Sequence, residues 1–391
     1  MELFFWLTLS IILYTYFGYI LILVILFYVK KIFCKDIKNS EITDYPKITV
    51  LIASYNERSI IEQKIENLRN LDYPKDKITF LWVTDGSDDG SYEILSTYPD
   101  MKVIHENERK GKVGAINRGI KYVDTDIVLF CDANTLLSKG SIKAIVEEFS
   151  NPSVGCVTGE KRIISDIKDF APAAGEEIYW KYESLIKLLE SKNNSTIGAV
   201  GEFCAIRTSL FEPLEPDTIL DDFIISLRIA QKGYKIKYSP YAIAMEWSSE
   251  SIKEELKRKV RIAAGSIQTL IRLKSLLNIF QYGFLSFQYW SHKVLRWIIV
   301  PFAIFLLLPI NIALVLIDSS TQFYIVILIM QTIFYILALV GYFIHQKKIF
   351  FKLLFAPYYI LIMNYAQIIG IIRFFKQRQS VNWEKSKRIS N

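Results

Sequence analysis

The sequence predicts an α/β domain with a Rossmann-like, mostly parallel sheet, set between membrane segments at its N- and C-terminal ends. Three observations carry this. Short β-branched runs alternate with stretches of helical periodicity, the pattern of strand-helix-strand units. The apolar excess is confined to residues 3–29 and about 295–372, with an ordinary charged region between them. The predicted strands also end in acids and amides, which a parallel sheet lines up along one crevice.

In chain order, Leu3 to Val29 exceeds the roughly 20 residues that span a bilayer, and it lacks a basic leader and a small-residue cleavage site, so it is expected to be an anchor over residues 1–35. Lys30, Lys31, Lys35 and Lys38 follow it, which places the next domain in the cytoplasm by the positive-inside rule. After a polar linker, Lys47 to Ala53 is a continuous apolar run suited to a buried parallel strand. Ile60, Ile61, Ile65 and Leu68 then recur at helical spacing. Further strands are expected at Ile78–Val83, Lys102–Ile104, Ile127–Phe130 and Val154–Gly159, and again within Ile197–Arg207 and at Lys235–Tyr238. Helices are expected at about Val113 onward, Ser141–Phe149, Gly175–Glu190, Leu220 to about Gly233, and Glu250–Lys274. The domain therefore covers residues 45–274. Leu276 to Trp290 is aromatic and weakly charged, which predicts an interfacial helix over 275–293. Apolar segments fill 294–373, and a basic tail covers 374–391. With four full spans that tail would lie outside, against the charge rule; a re-entrant last segment would keep it inside.

The net charge of +7 is modest, and many of the basic residues flank apolar spans, where anionic lipid head groups attract them. No basic face with interleaved stacking aromatics is present, so nucleic acid is not the expected partner. Cys34, Cys131, Cys156 and Cys204 are scattered, which fits reduced thiols in a cytosolic setting.

Four strand ends carry the candidate chemistry: Asn56-Glu57, Asp85 with Asp88 and Asp89, Asp132 with Asn134, and Asp221-Asp222. Each alone also serves as a turn or helix cap. Crowded in one crevice, such acids repel one another unless a cation or a donor-rich ligand is present. A nucleotide diphosphate with a divalent metal meets that need. Gly159-Glu160 and Gly201-Glu202 line an acceptor cleft or simply turn the chain.

Ser54-Tyr55-Asn56-Glu57, Asp85-Gly86-Ser87-Asp88-Asp89-Gly90, Arg109-Lys110-Gly111-Lys112 with Ala115 and Asn117, and Cys131-Asp132-Ala133-Asn134-Thr135 resemble the successive motifs of the membrane-bound family 2 inverting glycosyltransferases. That group includes the hyaluronan, cellulose and poly-N-acetylglucosamine synthases. The resemblance extends through Asp221-Asp222-Phe223 and the Arg258–Gln268 helix to nearly the whole chain. It implies a GT-A fold, a nucleotide-sugar donor (UDP-linked), a glycan or lipid-linked acceptor, and multi-pass residence in the cell membrane. It further implies that Ala53, Tyr55, Glu57, Asp85, Asp88, Lys112, Asn117 and Asp132 bind the nucleotide sugar, and that Asp132 with Asn134 holds Mg2+ or Mn2+. Asp222 would be the general base, with Asp221 beside it as the other catalytic acid and the better fit for the helix cap, and Arg258 and Arg261 would stand beside the departing diphosphate. Two departures stand out. Arg258-Lys259-Val260-Arg261-Ile262 replaces the Gln-x-x-Arg-Trp of processive synthases, which leaves single-sugar transfer open beside polymerisation; Asn134 stands where many relatives have a second aspartate. The alternative is a non-catalytic scaffold or nucleotide-sensing subunit of a polysaccharide machine. No partner subunit is named by the sequence.

Overall fold

The computed structural model describes residues 1–33, 44–164, 170–249, 251–317, 322–346 and 352–379. Cys34, Lys35, Lys38 and the tail beyond 379 lie outside the described residues. Eight strands form one sheet: β1 Ile48–Ser54, β2 Ile78–Asp85, β3 Met101–Glu106, β4 Ile127–Asp132, β5 Leu136–Leu137, β6 Val154–Ile164, β7 Cys204–Arg207 and β8 Lys235–Trp247. Their spatial order is β3-β2-β1-β4-β7-β6-β8-β5. β1 pairs in parallel with β2 and β4, β2 with β3, and β6 with β8; β7 and β5 run the other way. The sheet is thus mixed but mostly parallel. The strand order reverses between β1 and β4, the position where open α/β sheets leave a crevice for ligands.

β1 is apolar without alternation because both of its faces are covered. Ile48, Val50 and Ile52 pack with Trp82 and with Ile61, Ile65 and Ile145 on one side. On the other side Leu51, Leu81, Val83 and Phe130 meet Ile116, Ile224 and Ile267. Each such Ile, Leu or Val contributes roughly 1.5–3 kcal/mol when fully buried. Register aligns Ala53 with Asp132 and Ser54 with Thr84, so the polar ends of β1, β2 and β4 emerge side by side.

Ile197–Arg207, expected as a strand pair or as a strand and turn, is the latter: Cys204–Arg207 is a strand and the rest a turn closed by a Val200–Phe203 bridge. Other elements differ from the sequence expectation. β8 continues nine residues past Tyr238, to Trp247, pairing with the equally extended β6 across a register shift at Gly159/Glu160. The expected interfacial helix over 275–293 is broken at Gly283, whose φ of +52° ends the short Ile279–Tyr282 helix. From Phe284 the chain is helical through to Ile317. A left-handed backbone at a residue without Cβ is the physical reason for the break.

Among the described residues four helices are long and apolar enough to cross a membrane: Glu2–Phe33, Phe284–Ile317, Gln322–Ile344 and Phe355–Phe375. At 1.5 Å per residue the 32 residues of the first reach about 48 Å, against a hydrocarbon core of roughly 30 Å. The excess lies along the α/β domain. Leu23 packs on Leu189, Asn193 Nδ2 donates to the Leu23 carbonyl (2.9 Å), and Lys30 Nζ donates to the carbonyls of Lys192 and Asn193 (2.8 Å each). The helix Lys352–Phe375 lies lengthwise on the domain helix Ile252–Arg272. Phe355 and Tyr359 meet Ile252, and a Cβ on Gly370 would stand 2.3 Å from Ala263 Cβ and 2.7 Å from the Val260 carbonyl. Both ends of this segment therefore contact the domain.

Candidate active site

Lys112 organises the crevice. Gly111, at φ +76°, turns the chain into the Gly111–Gly119 helix, and the next residue extends its ammonium to Asp132 Oδ1 (2.8 Å) and Asp221 Oδ2 (3.2 Å). Burial alone would pull the Lys112 ammonium down, but the two carboxylates outweigh it and hold it well above its ordinary value. Asp132 is pushed up by burial, with Lys112 offsetting only part of that. Asp222, next along the Asp221–Gln231 helix, is pushed up to about 7 by burial first and then by the neighbouring Asp221, against the pull of Lys112. Gly201 lies against it: a Cβ there would be in van der Waals contact with the carboxylate, 3.4 Å from Asp222 Oδ2.

These groups line a cavity of about 870 Å³ that runs from Lys112 and Asp132 past Asp222 and Arg261 to Tyr359 and Arg373 of the last helix. Burial lowers the Arg261 guanidinium from its usual value, while Asp221, Asp132 and Asp222 act electrostatically to raise it, which places the cation over the acidic crevice.

The other expected residues are placed differently. Arg258 is held by Glu255, at 2.9 and 3.0 Å, and by Glu176, so two buried carboxylates engage its guanidinium and leave Arg261 as the arginine facing the acids. Asp85 is 2% exposed. It accepts from Arg118 Nη2 (2.7 Å) and from the Lys110 backbone N–H (3.0 and 3.2 Å). It therefore braces the Arg109–Lys112 loop. That loop closes tightly over Gly86, where a Cβ would meet the Arg109 backbone nitrogen at 2.9 Å. Asn117 exchanges two hydrogen bonds with the Leu214 backbone (2.8 and 2.9 Å). Asp88 and Asn56 likewise bond to each other (2.8 and 3.0 Å). Tyr55 lies under the Arg109 guanidinium at 3.7 Å, and Glu57 is buried with its N–H on Ser91 Oγ. Cys131, Cys156 and Cys204 are free and buried.

A second ion cluster adjoins the first. Lys161, with no exposed side-chain surface, reaches Glu202 and Glu246 Oε2 (2.5 Å), and Glu246 Oε1 accepts from Asn134 Nδ2 (3.1 Å). Burial favours a protonated Glu202, yet Lys161 holds it well below the ordinary carboxylate range. Lys161 and Glu246 have no signal in the sequence, because a charge inside an alternating strand resembles a solvated face until the neighbouring strand covers it. Among the described residues no three His, Cys, Asp or Glu side chains form a ready-made metal site. One carboxylate, Asp132, with the amide oxygen of Asn134 fits a divalent ion whose remaining ligands come from a diphosphate.

The model described as "Glycosyl transferase family 2" matches residues 49–214. The chain is similar to the poly-beta-1,6-N-acetyl-D-glucosamine synthases of Staphylococcus aureus, at 30% identity over 236 residues, and of Staphylococcus epidermidis, at 29%. Each match takes in 58% of this chain and 56% of the relative, so the chain spans just over half the length of these curated relatives. It also resembles the solved mannosyltransferase PcManGT from Pyrobaculum calidifontis in complex with GDP-Man and Mn2+. That likeness has a TM-score of 0.72 and 21% identity, and covers 96% of this chain and 99% of that one. At that identity the likeness speaks for the fold, which is GT-A. Over residues 49–214, therefore, the chain is similar to glycosyltransferase family 2.

Proposed function

We propose that the protein transfers a sugar, with inversion, from a UDP-linked donor to a hydroxyl of a glycan or lipid-linked acceptor at the cytoplasmic face of the cell membrane, in the synthesis of a cell-surface or extracellular polysaccharide. The observation that carries this is Asp222: a carboxyl pushed up to about 7, against Gly201, in a cavity shared with the Lys112–Asp132–Asp221 cluster. A base with an apparent pKa near the working pH is suited to removing the acceptor proton as the new bond forms.

Asp222 takes that proton, and the positive end of the helix it opens favours its ionised form. Lys112 and Arg261 lie where charge grows on the departing diphosphate, and preorganised cations of this kind lower the barrier without rearranging. Arg258, fixed by Glu176 and Glu255, holds the Ile252–Arg272 helix so that Arg261 keeps its place. Asp132, with Asn134, would hold Mg2+ or Mn2+, which supplies neutralisation of the donor phosphates. The docking of helix Lys352–Phe375 on the domain supports a re-entrant last segment, hence three true crossings and a cytoplasmic tail, with the acceptor end of the cavity at the lipid surface.

The test incubates purified full-length protein with labelled UDP-sugars and Mn2+ and separates the products. Transfer that is lost in both Asp132→Ala and Asp222→Ala supports the proposal. Turnover of no nucleotide sugar, or wild-type turnover in both variants, defeats it; the length of the product decides between single transfer and polymerisation.

A further inference from the structure

Lys187 lies on the Phe170–Asn193 helix, 3% exposed, and its side chain lines the cavity. Glu183 and Glu190, four residues before and three after it, share its helix face and would be its natural partners. Both are taken. Glu183 binds Lys293 Nζ (2.7 Å), Arg296 Nη1 (2.8 Å) and His292 Nε2 (3.1 Å). Glu190 accepts from Tyr19 Oη (2.6 Å) and from the Thr196 hydroxyl and the Ile197 N–H (3.1 and 3.0 Å), and it pairs with His292 Nδ1 (2.9 Å). Among the described residues the Lys187 ammonium makes no hydrogen bond or ion pair. Burial pulls it below its ordinary value; Glu183, Asp222 and Glu190 oppose that at a distance, and Lys293 adds to it.

A buried ammonium without a counter-ion is costly. This one lines the same cavity as Asp222, whose carboxylate acts on it electrostatically. The cavity also holds Tyr359 Oη and Trp180 Nε1, both buried with no hydrogen-bond partner among the described residues, and Arg373 of the last helix lines it. Trp297 and Phe223, which flank the neighbouring Lys293, supply aromatic surface. Resting on the function proposed above, we infer that Lys187 is an acceptor-binding residue and that the acceptor carries an anionic group, a carboxylate or a phosphate, seated on its ammonium. Lys112 and Arg261 are the cations proposed above for the donor diphosphate, which leaves Lys187 for the acceptor. A neutral sugar would leave the ammonium partnered only by hydroxyls.

The experiment measures equilibrium binding by tryptophan fluorescence in the detergent-purified full chain, so it does not depend on turnover. Three probes are compared: an N-acetylglucosamine oligosaccharide, the same oligosaccharide ending in glucuronate, and the same oligosaccharide carrying a short-chain prenyl diphosphate. In the wild type at least one anionic probe is expected to bind about tenfold more tightly than the neutral one, about 1.4 kcal/mol. The stronger of the two identifies the source of the charge. In Lys187→Met the advantage should fall to within about twofold, while Lys187→Arg should keep it. Thermal midpoints report whether the variants fold, and Lys187→Gln replaces methionine if that variant does not. Equal binding of all three probes by the wild type, or an advantage that survives in the methionine variant, overturns the inference. A wild type that discriminates between the probes but transfers no sugar would instead count against the proposed function alone.

Discussion

Asp222→Asn separates what the active site needs from what the fold prefers. In the folded protein the carboxyl titrates at about 7 against an ordinary 3.8, because it is buried and crowded by Asp221. The folded state therefore keeps a proton that the unfolded chain releases. Its stabilising effect is complete below pH 3.8 and is lost as pH rises through 7. At about 1.36 kcal/mol per pH unit the difference amounts to about 4 kcal/mol, an upper figure for a carboxylate forced to ionise in this crevice. Asparagine has the same shape without the charge. The variant should accordingly melt several degrees higher than the wild type at pH 8, with the gap closing toward pH 4. Transfer should fall about 10²- to 10⁴-fold, the usual worth of a positioned base. In the wild type kcat/KM should rise with pH through an apparent pKa near 7, and that limb should be missing from the residual activity of the variant. The assay is UDP release in the presence of acceptor from pH 5 to 9, with thermal melts on the same samples. An unchanged acid limb in Asp222→Asn, or transfer within threefold of wild type, would refute the assignment of the base.

Arg118→Ala leaves the buried Asp85 carboxylate with only the Lys110 N–H; unfolding should become easier by about 3–5 kcal/mol in a chemical melt, and an Asp85→Asn, Arg118→Gln double variant should recover part of it. Gly370→Leu forces a side chain into Ala263 and the Val260 carbonyl, so it should lower stability by about 1–3 kcal/mol and reduce transfer by shifting the helix that carries Arg261; a normal melt with normal turnover would mean that the Lys352–Phe375 helix is not docked as described. Chelation of divalent ions by EDTA should abolish transfer, with recovery on adding Mn2+ or Mg2+, and in Asp132→Ala no concentration of either ion should restore the rate.

Much of this architecture is legible in the residues alone, because burial leaves a local signature. β1, β2 and β4 are apolar runs with no polar alternation, which only a sheet covered on both faces tolerates. Their ends are marked by the Asn56, Asp85 and Asp132 clusters, since a strand must stop where its side chains turn polar; the expected fourth strand end, Asp221-Asp222, instead opens a helix. The membrane segments are equally plain, as about 20 apolar residues in a row have few other uses. The break at Gly283 was less visible, because a single glycine within an aromatic stretch gives no sign of its φ.

Only the tertiary structure decided how the acids and cations are shared. Asp85, Asp132 and Asp221 are the same residue type at similar strand or helix ends, yet Arg118 takes the first while Lys112 binds the other two. Arg258 and Arg261 sit one helical turn apart, and Glu176, 82 positions away in sequence, engages only the first of them. Lys187 and Lys161 are ordinary lysines until the sheet and the membrane helices bury them, one with two carboxylates and the other with none. The sequence determines which residues are buried in strands and which end them, because that depends on neighbours a few positions away. Which charge meets which is set by contacts across the whole chain, and those distances exist only once it has folded.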